Sequence, residues 1–340
     1  MKPWTPVPRG RQAHADGVTV YPIERLGNQL FTYAVVFAQA RRMSVPCYVN
    51  KGFFEHVRPE RTYHYEYELD VFDNGLVVPS DSSYHLPIYL GFPTIPTARF
   101  WHNRVPPVLP GTSKAVFMED SFAYDPRLRD IQPGTTAIGM FQSWRYFDDC
   151  GPELRERMSR LTKPSDWYLE MCEKIKPGSG SIGLHVRRGD YVLPEQQKIQ
   201  GLATRAYYER SLTDLRRMGF DGPVYLATDS PESVREEFAG MGEFLPIDPP
   251  RGVNPFEVVL LLSRVDGLVI ANSSFSWWAG FIGERPGRVV IAPRPWFTQA
   301  GADTRDLLPP DWLTLDRNFY GLDREGKQAM SDGMTVGGGR

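Results

Sequence analysis

Cysteine is scarce in this chain. Only Cys47, Cys150 and Cys172 occur, scattered and odd in number, and no C-x-x-C pair is formed. That excludes a disulfide framework and a structural zinc site, and it suits a reducing compartment. Long apolar runs are also missing. The richest stretch, Phe256 to Ala271, is broken by Arg264 and Asp266, so it does not read as a membrane span. Met1 to Gly17 holds three prolines and several charges in place of an apolar core segment, so it does not read as a secretory signal. Neither sign of charge dominates. A formal net charge of -2 argues against broad adhesion to nucleic acid or anionic lipid. The composition therefore predicts a cytoplasmic protein with no transmembrane segment and leaves peripheral membrane contact open.

What the chain does have is enough length and core for two ordinary domains: 340 residues, 41% hydrophobic and 24% charged. Its most informative stretch is Ser181 to Val192, S-I-G-L-H-V-R-R-G-D-Y-V. Ile182, Leu184 and Val186 alternate with Gly183, His185 and Arg187, which predicts a strand. The strand runs into Arg187-Arg188-Gly189-Asp190. In open α/β sheets ligands bind at the carboxyl ends of strands, and arginine suits an anion because its planar fork donates two parallel bonds. An isolated basic pair is ordinarily a solvated turn, so the neighbouring segments decide.

From here the α/β alternation is clear. Strands are predicted at 182–187, 224–228, 268–271 and 289–292, with helices at about 206–218, 231–239, 255–263 and 274–282. Strands separated by helices imply a parallel sheet. Three strands end in polar groups. After Arg187 and Arg188 come Thr228-Asp229-Ser230, where Asp229 is placed to accept bonds from a base or ribose. The plain alternative is that Asp229 or Ser230 caps the next helix. The third strand runs into Asn272-Ser273-Ser274-Phe275-Ser276-Trp277-Trp278, where hydroxyls meet a helix N-terminus, an anion site in waiting. Ser273 or Ser274 is equally suited to capping, and Trp277 and Trp278 read as core. Together the three ends describe a nucleotide pocket. The standard phosphate loops are absent in usable form. Gly178 to Gly183 spells G-x-G-x-x-G but precedes a strand, and Gly321 to Gln328 lacks the Ser or Thr of a P-loop. No D-x-D occurs.

The first half opens with a strand at 18–23, a Gly27-Asn28 turn leading into a helix to about Met43, and a strand at 45–50. Asn28 is a candidate ligand contact, although Gly-Asn is more often only a turn. Residues 51–135 are aromatic, proline-rich and without period. Tyr63, Tyr65 and Tyr67 alternate, and His56, His64, His85 and His102 have no metal spacing, so no metal site is assigned. A strand at 136–140 and a helix over 153–176 broken near Pro164 follow. Pro177-Gly178-Ser179-Gly180 reads as a junction. The expected organisation is an N-terminal α/β domain over 1–177, a second over 178–325, and a loose tail over 326–340.

Three segments together resemble the α-1,2-fucosyltransferase family: Glu24 to Phe31, His185 to Tyr191, and Asn272 to Trp278. Phe141-Gln142-Ser143 with Tyr146-Phe147, and Ala292-Pro293 with Trp296-Phe297, resemble it too. The resemblance implies a GT-B-like α/β fold, two Rossmann-like domains facing a cleft. It implies inverting, metal-independent transfer of L-fucose from GDP-β-L-fucose to a hydroxyl of a galactose-terminated oligosaccharide or glycolipid. Arg188 would then bind the diphosphate with Arg187 in support. His185 and Asp229 would meet the guanosine, Ser273, Ser274 and Phe275 would line the phosphate site, and Asn28 would face it from the other domain. Asp190 and Glu24 are the candidate general bases; Asp190 is equally suited to orienting an arginine. Glu24 stands where the family often has Gly, and Thr32 where it often has Gln, departures on the acceptor side. The competing readings are another linkage or GDP-sugar, and a glycan-binding protein without catalysis. Intact Arg188 and the serine run argue against the latter.

Overall fold

A computed structural model describes residues 16–56, 65–77, 116–119 and 121–318. Tyr63, His64, His85, His102, Gly321 to Gln328 and the expected tail lie outside them. The chain divides into two compact units. The first is Met1–Ser165 with Asn254–Glu257 and Gly301–Pro310, and the second is Asp166–Val253 with Val258–Ala300 and Asp311–Arg340.

The first unit holds β1 (Val18–Val20), α1 (Leu26–Met43), β2 (Cys47–Val49), α2 (Gly52–His56), β3 (Val116–Met118), β4 (Thr136–Ile138) and α3 (Gly151–Met158). Its strands run in the order β2-β1-β4-β3, every pair parallel. β1, Val-Thr-Val, is wholly buried, as a strand covered on both faces must be. The order reverses between β1 and β4, so the carboxyl ends of those two strands form the switch point of this sheet.

One expectation here is corrected. Gly27 and Asn28 are not a turn but the first turn of α1. The chain reverses at Glu24 instead, with φ 59°. The Glu68 carboxylate accepts the Leu26 N–H at 2.8 Å and so supplies the cap that Arg25 lacks.

The second unit contains α4 (Asp166–Lys174), β5 (Ile182–Val186), α5 (Pro194–Ile199), α6 (Arg205–Arg217), β6 (Val224–Thr228), α7 (Pro231–Glu237), β7 (Leu245–Pro246), α8 (Pro255–Arg264), whose first turn is counted with the first unit, β8 (Gly267–Val269), α9 (Ser274–Ile282), β9 (Val289–Arg294) and β10 (Leu313–Asp316). The unit begins at Asp166, ahead of the Pro177–Gly180 junction, because α4 is tied into it. The Lys174 carbonyl accepts from Tyr225 Oη at 2.9 Å, and the Cys172 and Ile175 carbonyls accept from Arg264.

The strand order, β7-β6-β5-β8-β9-β10 from one edge, is 3-2-1-4-5-6 in chain order, the doubly wound arrangement of a dinucleotide-binding sheet. Its pairs are all parallel. β5 is buried throughout and packs with Tyr207, Tyr208, Leu215 and Val234 into one core. The switch point lies between β5 and β8, at the carboxyl ends that carry Arg187 and the Asn272–Trp278 run.

Candidate functional site

Because β5 stops at Val186, Arg187 and Arg188 leave the sheet together, and the structure treats them differently. Arg188 turns inward and is 5% exposed. Its Nε and Nη2 fork onto the Glu237 carboxylate at 2.8 and 2.7 Å. Nη1 donates to the Arg187 carbonyl and Nη2 to that of Ala203. Four of its five N–H donors are spent on protein.

Arg187 is the more accessible cation. Its Nη1 meets Asp229 Oδ2 at 2.7 Å, Nη2 pairs with Asp190 Oδ1, and the guanidinium lies 5.2 Å from the Tyr191 ring centroid. The sequence reading assigns Arg188 to the anion and Arg187 to its support; the geometry buries Arg188 and leaves Arg187 half-buried. Sequence alone does not show this, because the partner Glu237 is remote in the chain.

Asp229 and Ser230 do not cap α7, which has no side-chain cap. They hold the β5 turn instead. Asp229 Oδ1 accepts the Arg188 N–H at 2.8 Å, and Ser230 Oγ accepts that of Gly189 at 3.1 Å. Gly189 is required here: a Cβ would fall 2.3 Å from Asp229 Oδ2. Asp190 lies in a short 3-10 turn, Gly189–Val192, and its carboxylate pairs with Arg187.

His185 lies one residue before the end of the same strand. It is 6% exposed and stacks on Phe275 at 5.3 Å, and its Nδ1 is buried with no partner among the described residues. Burial, aided by the nearby Arg187 charge, pushes its pKa down to about 3, so the ring is neutral at physiological pH. Ser273 is the N-cap residue of α9 without a side-chain cap bond, and Ser274 and Phe275 are half-buried. Trp277 and Trp278 are fully buried core, as expected.

In the first unit, Glu24 and Asn28 follow β1. Asn28 Nδ2 donates to Glu24 Oε2 at 2.5 Å. Gln142, which follows β4, donates from Nε2 to Asn28 Oδ1 at 2.8 Å. Thr32 is buried and donates to the Gln29 carbonyl.

Several residues at these strand ends carried no role in the sequence reading. Asn272 Nδ2 reaches the Gln200, Gly201 and Trp296 carbonyls. Arg317, 2% exposed, donates to the Gln200 and Trp296 carbonyls and to Thr298 Oγ1. Together they pin Gln200 and Gly201, just past α5, beside the end of β8. Buried Glu119 receives the Met140 and Phe141 N–H groups at 2.7 and 2.9 Å. Asn272 stands in the Asn272–Trp278 segment, but nothing in the sequence signals its partners or the roles of Arg317 and Glu119, because most of the groups they bond are backbone carbonyls and amides distant in sequence. Among the described residues no three His, Cys, Asp or Glu are grouped as metal ligands, and no helix is long and apolar enough to cross a membrane.

The chain is 28% identical over 301 residues to an alpha-1,2-colitosyltransferase of Escherichia coli, an alignment covering 86% of this chain and 96% of that protein. It is 22% identical to the O-antigen biosynthesis glycosyltransferase WbnK of the same organism, covering 85% and 97%. Among solved structures it is similar to the NodZ alpha-1,6-fucosyltransferase soaked with GDP-fucose, with 16% identity, a TM-score of 0.45, and 78% and 92% of the two chains covered. Residues 137–316, more than half of the chain and including every candidate residue of the second unit, match the glycosyl transferase family 11 model, and the chain belongs to that family of glycosyltransferases.

Proposed function

We propose that this glycosyltransferase moves L-fucose from GDP-β-L-fucose to the 2-hydroxyl of a galactoside, in α-1,2 linkage and with inversion. The observation that carries the reading is the near full-length alignment with a relative named for α-1,2 transfer. The doubly wound second sheet supports it, because the nucleotide-ready groups stand at its switch point. In this reading the diphosphate lies against the α9 N-terminus, with Ser273, Ser274 and Phe275 beside it. His185 and Asp229 are on the guanosine side. Arg187, with two of its donors spent on carboxylates, turns remaining donors to the phosphates. Arg188 holds the turn that presents it.

In the reaction the acceptor oxygen attacks the anomeric carbon as the C1–O bond to phosphate breaks. GDP leaves with the electron pair, and the acceptor proton passes to a carboxylate. Asp190, paired with Arg187, and Glu24, bonded by Asn28, are the two candidates for that carboxylate. The transition state is oxocarbenium-like and asks little of the base. The larger contribution is a cation that strengthens its bonds as charge grows on the leaving diphosphate. No metal is required in this scheme, and the enzyme works in the cytoplasm on oligosaccharide or glycolipid acceptors.

A second reading is favoured by the colitosyltransferase relative. Colitose is L-fucose without its 3-hydroxyl, so GDP-colitose is the rival donor. The test is acceptor-dependent GDP release with each donor across a galactoside panel, and NMR of the product linkage. Fucose in α-1,2 linkage upholds the first reading; colitose alone upholds the second. No release with either donor from folded protein sinks both.

A further inference from the structure

The first sheet has a switch point of its own, and three side chains meet there. Glu24 and Asn28 follow β1, and Gln142 follows β4. Their hydrogen bonds all run one way. Gln142 Nε2 donates to Asn28 Oδ1, and Asn28 Nδ2 donates to Glu24 Oε2. The carboxylate fixes this direction, because it accepts and does not donate. Asn28 must therefore turn its amide nitrogen to Glu24 and its oxygen to Gln142, which in turn must present its nitrogen.

That leaves Gln142 Oε1 as the head of the chain. The side chain is 7% exposed, and Oε1 is buried with no partner among the described residues. An unsatisfied buried acceptor is costly. The backbone is nonetheless built to hold it there. Phe141, immediately before Gln142, has φ 49°, a conformation that costs a non-glycine residue stability. Glu119 clamps that turn through two N–H groups. Gly139 makes room for the clamp, since a Cβ there would lie 2.5 Å from Glu119 Cβ.

We infer that Gln142 Oε1 accepts a hydrogen bond from a hydroxyl of the acceptor sugar, and that Gln142 thereby positions Glu24 through Asn28. A hydroxyl donor completes a four-member chain, hydroxyl to Gln142 to Asn28 to Glu24, in which every bond polarises the next. The amides carry no proton; they orient the carboxylate and register the sugar. This rests on the proposed transfer to a galactoside and adds the residue that reads it.

The experiment compares the parent with Gln142→Met, which keeps volume and removes both amide groups, and Gln142→Glu, which keeps an acceptor and loses the donor. Each is assayed with a galactoside and its monodeoxy analogues, and donor affinity and Tm are measured in parallel. The parent should lose about tenfold or more in kcat/KM on one monodeoxy analogue. Gln142→Met should be about as slow with the full galactoside and should no longer distinguish that analogue. Donor Kd should stay within about twofold in both variants. Gln142→Glu should keep the discrimination and lose kcat, because its carboxylate faces Asn28 Oδ1. If Gln142→Met is unfolded by Tm, the discrimination and kcat of Gln142→Glu decide alone. Unchanged analogue ranking in folded Gln142→Met overturns the inference, as does unchanged kcat in Gln142→Glu. A parent that transfers no sugar at all instead overturns the function on which it rests.

Discussion

At the scale of single residues, burial separates two adjacent arginines that look alike in sequence. Arg188 is a fork locked onto Glu237, and a lysine has no fork to offer. Arg188→Lys is expected to keep the fold and lose turnover by about 10²-fold, because the β5 turn that presents Arg187 loosens. A steady-state assay with a circular dichroism control checks this, and near-parental kcat in a folded variant refutes it. Glu237→Gln should lower turnover in the same direction and by less, since the amide keeps one acceptor.

His185 makes a prediction about pH. Its folded pKa is lowered to about 3 from an ordinary value near 6.5. Between those values the unfolded chain binds a proton that the folded one refuses. Stability therefore falls as pH drops from about 6.5 towards 3, with a slope from this ring of at most ~1.4 kcal/mol per pH unit. In denaturant titrations at pH 7, 6, 5 and 4, His185→Phe should fall less steeply than the parent. Parallel curves would show that the buried ring does not titrate as described.

At the scale of elements, helix ends show what the sequence could and could not convey. The bodies of α6, α7, α8 and α9 and the strands β5, β6, β8 and β9 follow from period, proline and serine positions. β3, β7 and β10 do not: each is a short strand of 2–4 residues with no period to read. The C-termini of α8 and α9 fall within one residue of their expected ends, but the groups that cap them come from outside the helices and left no local signal. Arg288 donates to the carbonyls of Leu262, Val265, Ala279 and Gly280. Arg285 takes those of Ser263, Gly283, Arg264 and Val265 and pairs with Asp266. Two cations thus satisfy the orphan carbonyls of two helices and oppose their dipoles. Burial, with Arg285 close by, pushes the Arg288 pKa down to about 9, and the carbonyl cage holds the charge. Arg288→Ala should cost about 3 kcal/mol or more, read as a fall in the denaturation midpoint at unchanged m-value. A loss under 1 kcal/mol would mean that water replaces the guanidinium.

At the scale of the whole molecule, the strand ends that carry the chemistry were largely legible, and their wiring was not. His185-Val186-Arg187-Arg188-Gly189-Asp190 and Asn272-Ser273-Ser274 stand where the alternating pattern put them, at the carboxyl ends of β5 and β8. Which arginine is buried depends on Glu237, and which carboxylate is committed depends on side-chain rotamers; neither leaves a periodic trace. Long-range partners such as Glu68 on α1 and Glu119 on the Phe141 turn are set by topology, which a one-dimensional pattern does not record. The charge logic nevertheless has a consequence for the molecule as a whole. If arginine and a helix N-terminus meet the diphosphate, removing divalent cations should leave turnover intact. Dialysis against EDTA, followed by assay with and without added Mg²⁺ or Mn²⁺, should change kcat by less than about twofold. Salt should act in its place, weakening donor affinity as screening grows. A large fall in kcat on chelation, restored by one metal, would transfer the leaving-group charge from Arg187 to that ion and overturn the scheme.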